Sequence, residues 1–226
     1  MEKKGKTAIV LGATGLTGGK LLEMLLEDED YEKVKLFSRS SVGLSHPQIK
    51  EYLGDMLQLQ AFENEFVGDV VFCCIGTTKS KSPDKEVYKK IDFGIPKSAA
   101  ELARNNNIGT FIVISALGAN AKSNVFYNRV KGEMEEAVLA TKIAETYILQ
   151  PSLIGGNRKE KRFGELVFKQ MMKLINIVLV GPLDKFRSIS PENIAKCMIW
   201  LAKNEYDDVR IPSDKIKQIA QGNSLL

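Results

Sequence analysis

Tyr127 and Lys131 stand four residues apart, a spacing that on a helix puts a phenol and an ammonium on one face, one turn from each other. A cation beside a phenol favours the phenolate, which lowers the tyrosine pKa toward neutral pH and suits the pair to proton transfer. Core packing of Tyr127, with its hydroxyl satisfied locally, is the other reading of the pair taken alone. A second group is Gly12-Ala-Thr14-Gly15-Leu16-Thr17-Gly18. Glycines at this spacing relieve a tight turn, let backbone approach a pyrophosphate and let a helix pack close to a strand. The helix that follows offers free N–H groups and the positive end of its dipole to phosphates. A third is Ser38-Arg39, at the end of a second apolar run. A fold that prefers NAD places a carboxylate there to hold the ribose 2′-hydroxyl. Ser38 removes that charge and Arg39 adds a guanidinium able to pair with a 2′-phosphate, so NADP(H) is the expected cofactor. A solvated surface arginine is the alternative.

The elements that would position these groups follow from periodicity. Thr7–Leu11 is a short apolar run, then come the glycines, then Leu21, Leu22, Leu25 and Leu26 at helical spacing. Val34–Phe37 reads as the next strand, completing a βαβ unit and placing the glycine loop at its first strand–helix junction, the context that gives such a loop meaning. Ile49–Leu53, Val70–Ile75, Phe111–Ile114 and Thr146–Leu149 read as further strands. Helices are expected from near Asp92 to Asn106 and along Tyr127, Val130, Met134 and Val138. Beyond Pro151 come a charged loop (157–162), a helix (164–176), a short apolar run (177–180) and a helix opened by Ser190 as N-cap and Pro191. The alternation predicts an α/β protein: a Rossmann-like, doubly wound parallel sheet with helices on both faces. A single domain is expected over 1–226. Its core is about 1–150, and 151–226 hold the last strands and helices and a small cap on the substrate side, over the sheet's carboxyl edge.

Composition narrows the chemistry. Of 226 residues, 32 are Lys or Arg and 28 Asp or Glu, a net charge of +4 that is too mild and too interspersed to point to nucleic acid or a membrane surface. His46 is the single histidine, in Leu44-Ser-His-Pro47, which reads as a surface loop and argues against a Ser-His-Asp hydrolase. The cysteines are Cys73, Cys74 and Cys197, too few and wrongly spaced for a structural zinc site, and no metal is expected. Cys73-Cys74 sits in an apolar run and reads as buried strand. The start of the chain mimics the basic and apolar parts of a signal peptide, but its glycines interrupt the apolar segment and no stretch approaches the ~18–20 residues needed to span a bilayer. The expected setting is cytoplasmic.

The order of these features resembles the short-chain dehydrogenase/reductase superfamily. More narrowly, the chain resembles its atypical branch of Tat-interacting-protein oxidoreductases and their bacterial relatives. The supporting segments are Cys74-Ile-Gly-Thr-Thr78-Lys79, Ile114-Ser-Ala-Leu-Gly-Ala119, Tyr127-Asn-Arg-Val-Lys131-Gly-Glu133, Asn157-Arg158-x-x-x-Arg162-x-Gly164-Glu165 and Ser188-Ile-Ser-Pro-Glu-Asn-Ile-Ala195. The resemblance implies Tyr127 as general acid/base supported by Lys131 and Ser115. It also implies that Asp55 meets the adenine and that Gly76, Thr77 and Thr78 line the cofactor. The sequence departs from the family twice: Ala116 replaces a second serine, and Gln150-Pro151-Ser152 replaces Arg-Pro-Gly. Arg158 and Arg162 either cap the nicotinamide side, meet an anionic substrate, or belong to a solvated basic loop. The expected activity is reduction of a small carbonyl compound with NADPH. The alternative is an NADP(H)-binding regulator that engages a protein partner without turnover; Ala116 favours it and the intact Tyr127/Lys131 pair opposes it.

Overall fold

Apolar residues fill both faces of the central strands, so the sheet must be covered on both sides. In β1 (Lys6–Leu11), β4 (Val70–Cys73) and β5 (Thr110–Ile114) nearly every residue is buried. The computed structural model describes residues 5–78, 82–155 and 187–222. Its other strands are β2 (Tyr31–Ser38), β3 (Ile49–Leu53), β6 (Glu145–Gln150) and β7 (Arg210–Pro212). All pair in parallel, in the order β3-β2-β1-β4-β5-β6-β7.

The helices follow the strands as α1 (Leu16–Leu26), α2 (Lys85–Lys89), α3 (Ile95–Asn105), α4 (Phe126–Ala140), α5 (Pro191–Leu201) and α6 (Ser213–Ala220). Strand alternation sends Ala8 and Val10 to one side, where Leu21 and Leu25 of α1, Ile194 and Met198 of α5 and Ile216 of α6 cover them. Ile9 and Leu11 face the other side, against Ala99 and Ala103 of α3, Met134 and Val138 of α4, and Leu59 of a 3₁₀ segment, Met56–Phe62. Each large apolar side chain enclosed in these layers contributes about 1.5–3 kcal/mol relative to leaving it in water.

The doubly wound parallel sheet expected from the sequence is present, and the structure lengthens or relocates several elements. The second strand begins at Tyr31, which is buried against Phe72. The helix expected from Asp92 has an earlier start: α2 opens at Lys85, with the Asp84 side chain capping the N–H groups of Glu86 and Val87. It then runs through a π-helical turn, Lys90–Gly94, into α3. Of the tail, residues 187–222 complete the sheet with β7 and its covering layer with α5 and α6, as last strands and helices. Three residues ending in a proline are too short to show alternation, and β7 is tolerated because it is an edge strand. The expected loop at 157–162, helix at 164–176 and apolar run at 177–180 lie outside the described residues.

Ser190 caps α5 as its sequence position foretold, its Oγ accepting from the Asn193 N–H at 3.1 Å, with Pro191 in the first turn. Ser190→Ala should therefore destabilise the fold by about 1 kcal/mol. Thermal unfolding should show this as a fall of roughly 2–4 °C in Tm. An unchanged Tm would mean that the cap contributes nothing to holding α5 on the sheet.

Candidate functional site

In an open parallel sheet, ligands bind beyond the carboxyl ends of the strands where the strand order reverses. Here that place lies between β1 and β4, whose ends are tied by the Cys74 N–H donating to the Leu11 carbonyl at 2.9 Å. The loops that leave them hold Gly12–Gly18 on one side and Gly76–Thr78 on the other. Gly12 has φ +85°, and a Cβ on it would stand 2.8 Å from the Cys74 carbonyl oxygen. Only glycine lets the first loop cross the end of β4 this closely. Gly15 occupies the N-cap of α1 with extended backbone and no side-chain cap, and the first turn of α1 carries no acidic residue. A Cβ on Gly18 would lie 2.2 Å from the Gly12 carbonyl oxygen, so helix and loop are in contact. Thr14 is exposed, Leu16 partly so, and Thr17 is buried at the helix start.

On the other wall, Lys131 of α4 is buried and its Nζ stands 2.8 Å from Asp92 Oδ1, in the π-helical turn. Asp92 Oδ2 accepts from the Thr77 N–H at 2.7 Å, joining the pair to the loop after β4. A Cβ on Gly76 would come within 3.7 Å of Asp92 Oδ1 and 4.0 Å of Lys131 Nζ, so that glycine lies directly beside the charges. Thr77 Oγ1 and Ser82 Oγ are 3.0 Å apart, and the Thr78 carbonyl accepts from the Ser82 N–H. Burial pulls the Lys131 ammonium down, but Asp92 and Tyr127 together outweigh it and the net direction is up, so Lys131 is charged at neutral pH.

Tyr127 is 41% exposed at the first turn of α4, its ring packed edge-on against Tyr88 of α2. Its phenol departs from the lowering expected of a neighbouring lysine. Partial burial raises it most, Lys131 pulls it back and Asp92 pushes it up again, and the balance is upward. Much of the Lys131 charge is met by Asp92, which the sequence reading did not foresee. Tyr127 therefore keeps its proton at neutral pH. Tyr88, with its hydroxyl buried and unpartnered among the described residues, is pushed up strongly by burial and by Asp92.

Ser115, at the end of β5, is buried and donates to Glu135 Oε1 at 2.5 Å. Glu135 lies one turn beyond Lys131 and is itself 2% exposed. Its Oε1 also accepts from Gln150 Nε2 at 2.9 Å, and its Oε2 from Arg210 Nε at 2.7 Å. The residue at the position of the family's second serine, Ala116, is buried.

Comparison with known proteins fits this geometry. Residues 12–154 match the family described as NAD(P)H-binding. The chain belongs to the NAD(P)H-binding family. It is 32% identical over 163 residues to "Protein FMP52-1, mitochondrial" of Scheffersomyces stipitis, covering 69% of this chain and 70% of the relative. It is 31% identical over 168 residues to "Protein HTATIP2" of Rattus norvegicus, covering 73% and 69%. Among solved structures, the fold is shared with ADP-L-glycero-D-manno-heptose-6-epimerase of Helicobacter pylori, at TM-score 0.68 and 15% identity, over 98% of this chain and 83% of that one. A UDP-N-acetylglucosamine 4-epimerase of Methanobrevibacter ruminantium aligns at TM-score 0.69 and 18% identity, over 92% and 77%.

The crevice fits the family's dinucleotide. The glycine loop is a cradle that a Cβ would fill, and the uncapped start of α1 aims unsatisfied N–H groups at it. Gly12, Gly15 and Gly18 are brought to one wall of the crevice, and Gly76, Thr77 and Lys131 to the other. Ser38 is buried at the end of β2 and donates to the Ser40 carbonyl at 2.7 Å, shaping the turn that leaves Arg39 exposed. Asp55 is exposed beyond β3, its Oδ1 accepting from the Leu57 N–H at 2.9 Å as the cap of the 3₁₀ segment. Arg158 and Arg162 lie outside the described residues. Those described contain no cluster of His, Cys, Asp and Glu able to hold a metal, and no helix long and apolar enough to cross a membrane.

Asp92, Tyr88, Glu135 and Arg210 are site residues that the sequence did not single out. Glu135 had a usable signal, being a charge on the same helical stripe as Val130, Met134 and Val138. Asp92 had none, since its partner comes from another element. Removing one member of a buried ion pair strands the other, at a cost of about 3–5 kcal/mol. Asp92→Ala should lose that much in urea unfolding; a loss below about 1 kcal/mol, the scale of an exposed pair, would contradict the enclosed pairing.

Proposed function

We propose that the protein is an NADP(H)-dependent oxidoreductase that reduces a carbonyl compound, with Tyr127 as the proton donor. The observation that supports this reading best is the placement of Tyr127 and Lys131 on successive turns of α4, with Lys131 against the Gly76–Thr77 wall of the dinucleotide crevice. When bound, the nicotinamide supplies a hydride to the carbonyl carbon. As the π electrons of the C=O bond move to oxygen, Tyr127 Oη gives that oxygen its proton and the alcohol forms. Lys131 stabilises the phenolate left behind and holds the nicotinamide ribose, and the phenolate recovers a proton from solvent. The Tyr127 hydroxyl is protonated when the reaction begins, and because burial makes it a weaker acid the transfer depends on Lys131 stabilising the phenolate as it forms.

Gly12, Thr14, Gly15, Leu16, Thr17 and Gly18 take the pyrophosphate in this reading, Asp55 approaches the adenine, and Gly76, Thr77 and Thr78 line the nicotinamide half. Arg39, with Ser38 in place of a carboxylate, reads the 2′-phosphate. Arg158 is assigned to the nicotinamide side. The free thiols fit a reducing compartment, for which we propose the cytoplasm, although the yeast relatives carry "mitochondrial" in their names.

A second reading, NADP(H) binding without turnover, has its own observation. The Ser115 hydroxyl donates to Glu135 and the next residue is Ala116, so Ser115 has to turn from Glu135 before it can donate to a substrate oxygen. Titration with NADPH and NADH, followed by an NADPH-oxidation screen over aldehydes and ketones, separates the two. Turnover of any carbonyl compound supports the reductase, and tight binding without turnover supports the regulator.

Two substitutions test the assignments. Arg39→Ala should weaken NADPH binding by about tenfold or more, the scale of a lost hydrogen bond to a charged group, and leave NADH binding little changed. Equal losses for both cofactors would remove Arg39 from the 2′-phosphate. Tyr127→Phe should lower turnover by about 100-fold or more while NADPH affinity stays the same; undiminished turnover would return Tyr127 to a packing role.

A further inference from the structure

Among the described residues two carboxylates lie buried beneath the site, Asp92 and Glu135, and two cations reach them. Lys131 Nζ meets Asp92 at 2.8 Å and Arg210 Nε meets Glu135 at 2.7 Å. The pairing is not the one that proximity on the helix would select. Lys131 and Glu135 are one turn apart on the same buried face of α4, within the range at which such side chains pair. Yet each takes its partner from another element, Lys131 from the π-helical turn and Glu135 from β7. Both oxygens of Glu135 are already engaged, Oε1 by Ser115 and Gln150 and Oε2 by Arg210.

We infer that Arg210 is a positioning residue: by occupying Glu135 it leaves Lys131 to Asp92, and so holds the ammonium against Gly76 and Thr77 on the cofactor wall. The link to cofactor binding rests on the role proposed for Lys131; the pairing itself does not. Without Arg210, the two buried carboxylates share one cation among the described residues. A buried charge left without a partner is strongly destabilising, and the cation nearest in sequence to Glu135 is Lys131. Lys131 then turns along α4 toward Ser115 and the end of β5, away from Gly76. The site is also built so that the charge can come from elsewhere. Gln150 Nε2 already touches Glu135 Oε1, so a guanidinium extended from position 150 reaches the same carboxylate.

The test uses the full chain and two variants, Arg210→Met and the double variant Gln150→Arg/Arg210→Met. Each is crystallised to locate Lys131 Nζ, titrated with NADPH and unfolded in urea. The Arg210 side chain is 46% exposed, so the methionine meets no crowded core. In Arg210→Met, Nζ should leave Asp92 for Glu135, and NADPH affinity should fall by about tenfold or more, as expected for a lost charge-assisted contact. The double variant should return both toward the original. Lys131 still paired with Asp92 in Arg210→Met overturns the inference, and lowered stability with Lys131 and NADPH affinity unmoved does the same, reducing Arg210 to a structural tie. If Arg210→Met does not fold, a folded double variant with Lys131 at Asp92 supports the inference and an unfolded one overturns it. An original protein that fails to bind NADPH removes the cofactor reading, while the position of Lys131 in the variants still decides the inference.

Discussion

The close crossing of the Gly12 backbone over the end of β4 is the contact on which the site is built. A side chain at Gly12 would have to occupy the Cys74 carbonyl, and a positive φ already disfavours one there. Because the loop stays low, α1 starts directly above the sheet edge with Gly18 against the same loop. The loops after β1 and β4 then open as two walls of one crevice at the reversal of strand order. Raising the first loop would move the helix terminus and its N–H groups away from the Gly76–Thr78 wall together, since both are referred to the same strand ends.

The second requirement is electrostatic. One stripe of α4 carries Val130, Met134 and Val138 into the sheet, and Lys131 and Glu135 go under with them. Two charged groups cannot be enclosed in this way unless each finds an opposite charge and further hydrogen bonds. The π-helical turn supplies Asp92 to one, and β7 supplies Arg210 to the other. An irregular turn of this kind, placing a single side chain out of the α-helical register, is a recurrent device at functional sites. The outcome is a fixed arrangement of charges on the helix that carries Tyr127, whose phenol retains its proton.

Much of this was legible in the residues. The strand–helix alternation, the glycine loop, the Ser190 cap and the Tyr127/Lys131 spacing are local signals, each written within a few neighbouring positions. What was not legible is non-local. Asp92 lies in a stretch that reads as an ordinary helix start, and only the fold brings it beneath Lys131. Arg210 sits in a three-residue strand with no alternation to betray it, ending in a proline that the edge position alone permits. The direction of the Tyr127 phenol reversed chiefly through burial, which the spacing of Tyr127 and Lys131 does not show, with Asp92 adding to it. Ser115 was rightly placed at a strand end, but its hydroxyl partner, Glu135, could be known only from how α4 docks.

The packing of α1 against α5 has a consequence for how the chain is made. Leu21, Leu22 and Leu25 form the face that α5 covers with Ile194, Met198 and Leu201. On a ribosome the first strand–helix unit leaves the exit tunnel long before residue 191 has been added. Throughout that interval the leucine face of α1 is open to solvent, to chaperones or to another nascent chain. Translation that stops short of α5 leaves that leucine face without the cover it has in the complete fold.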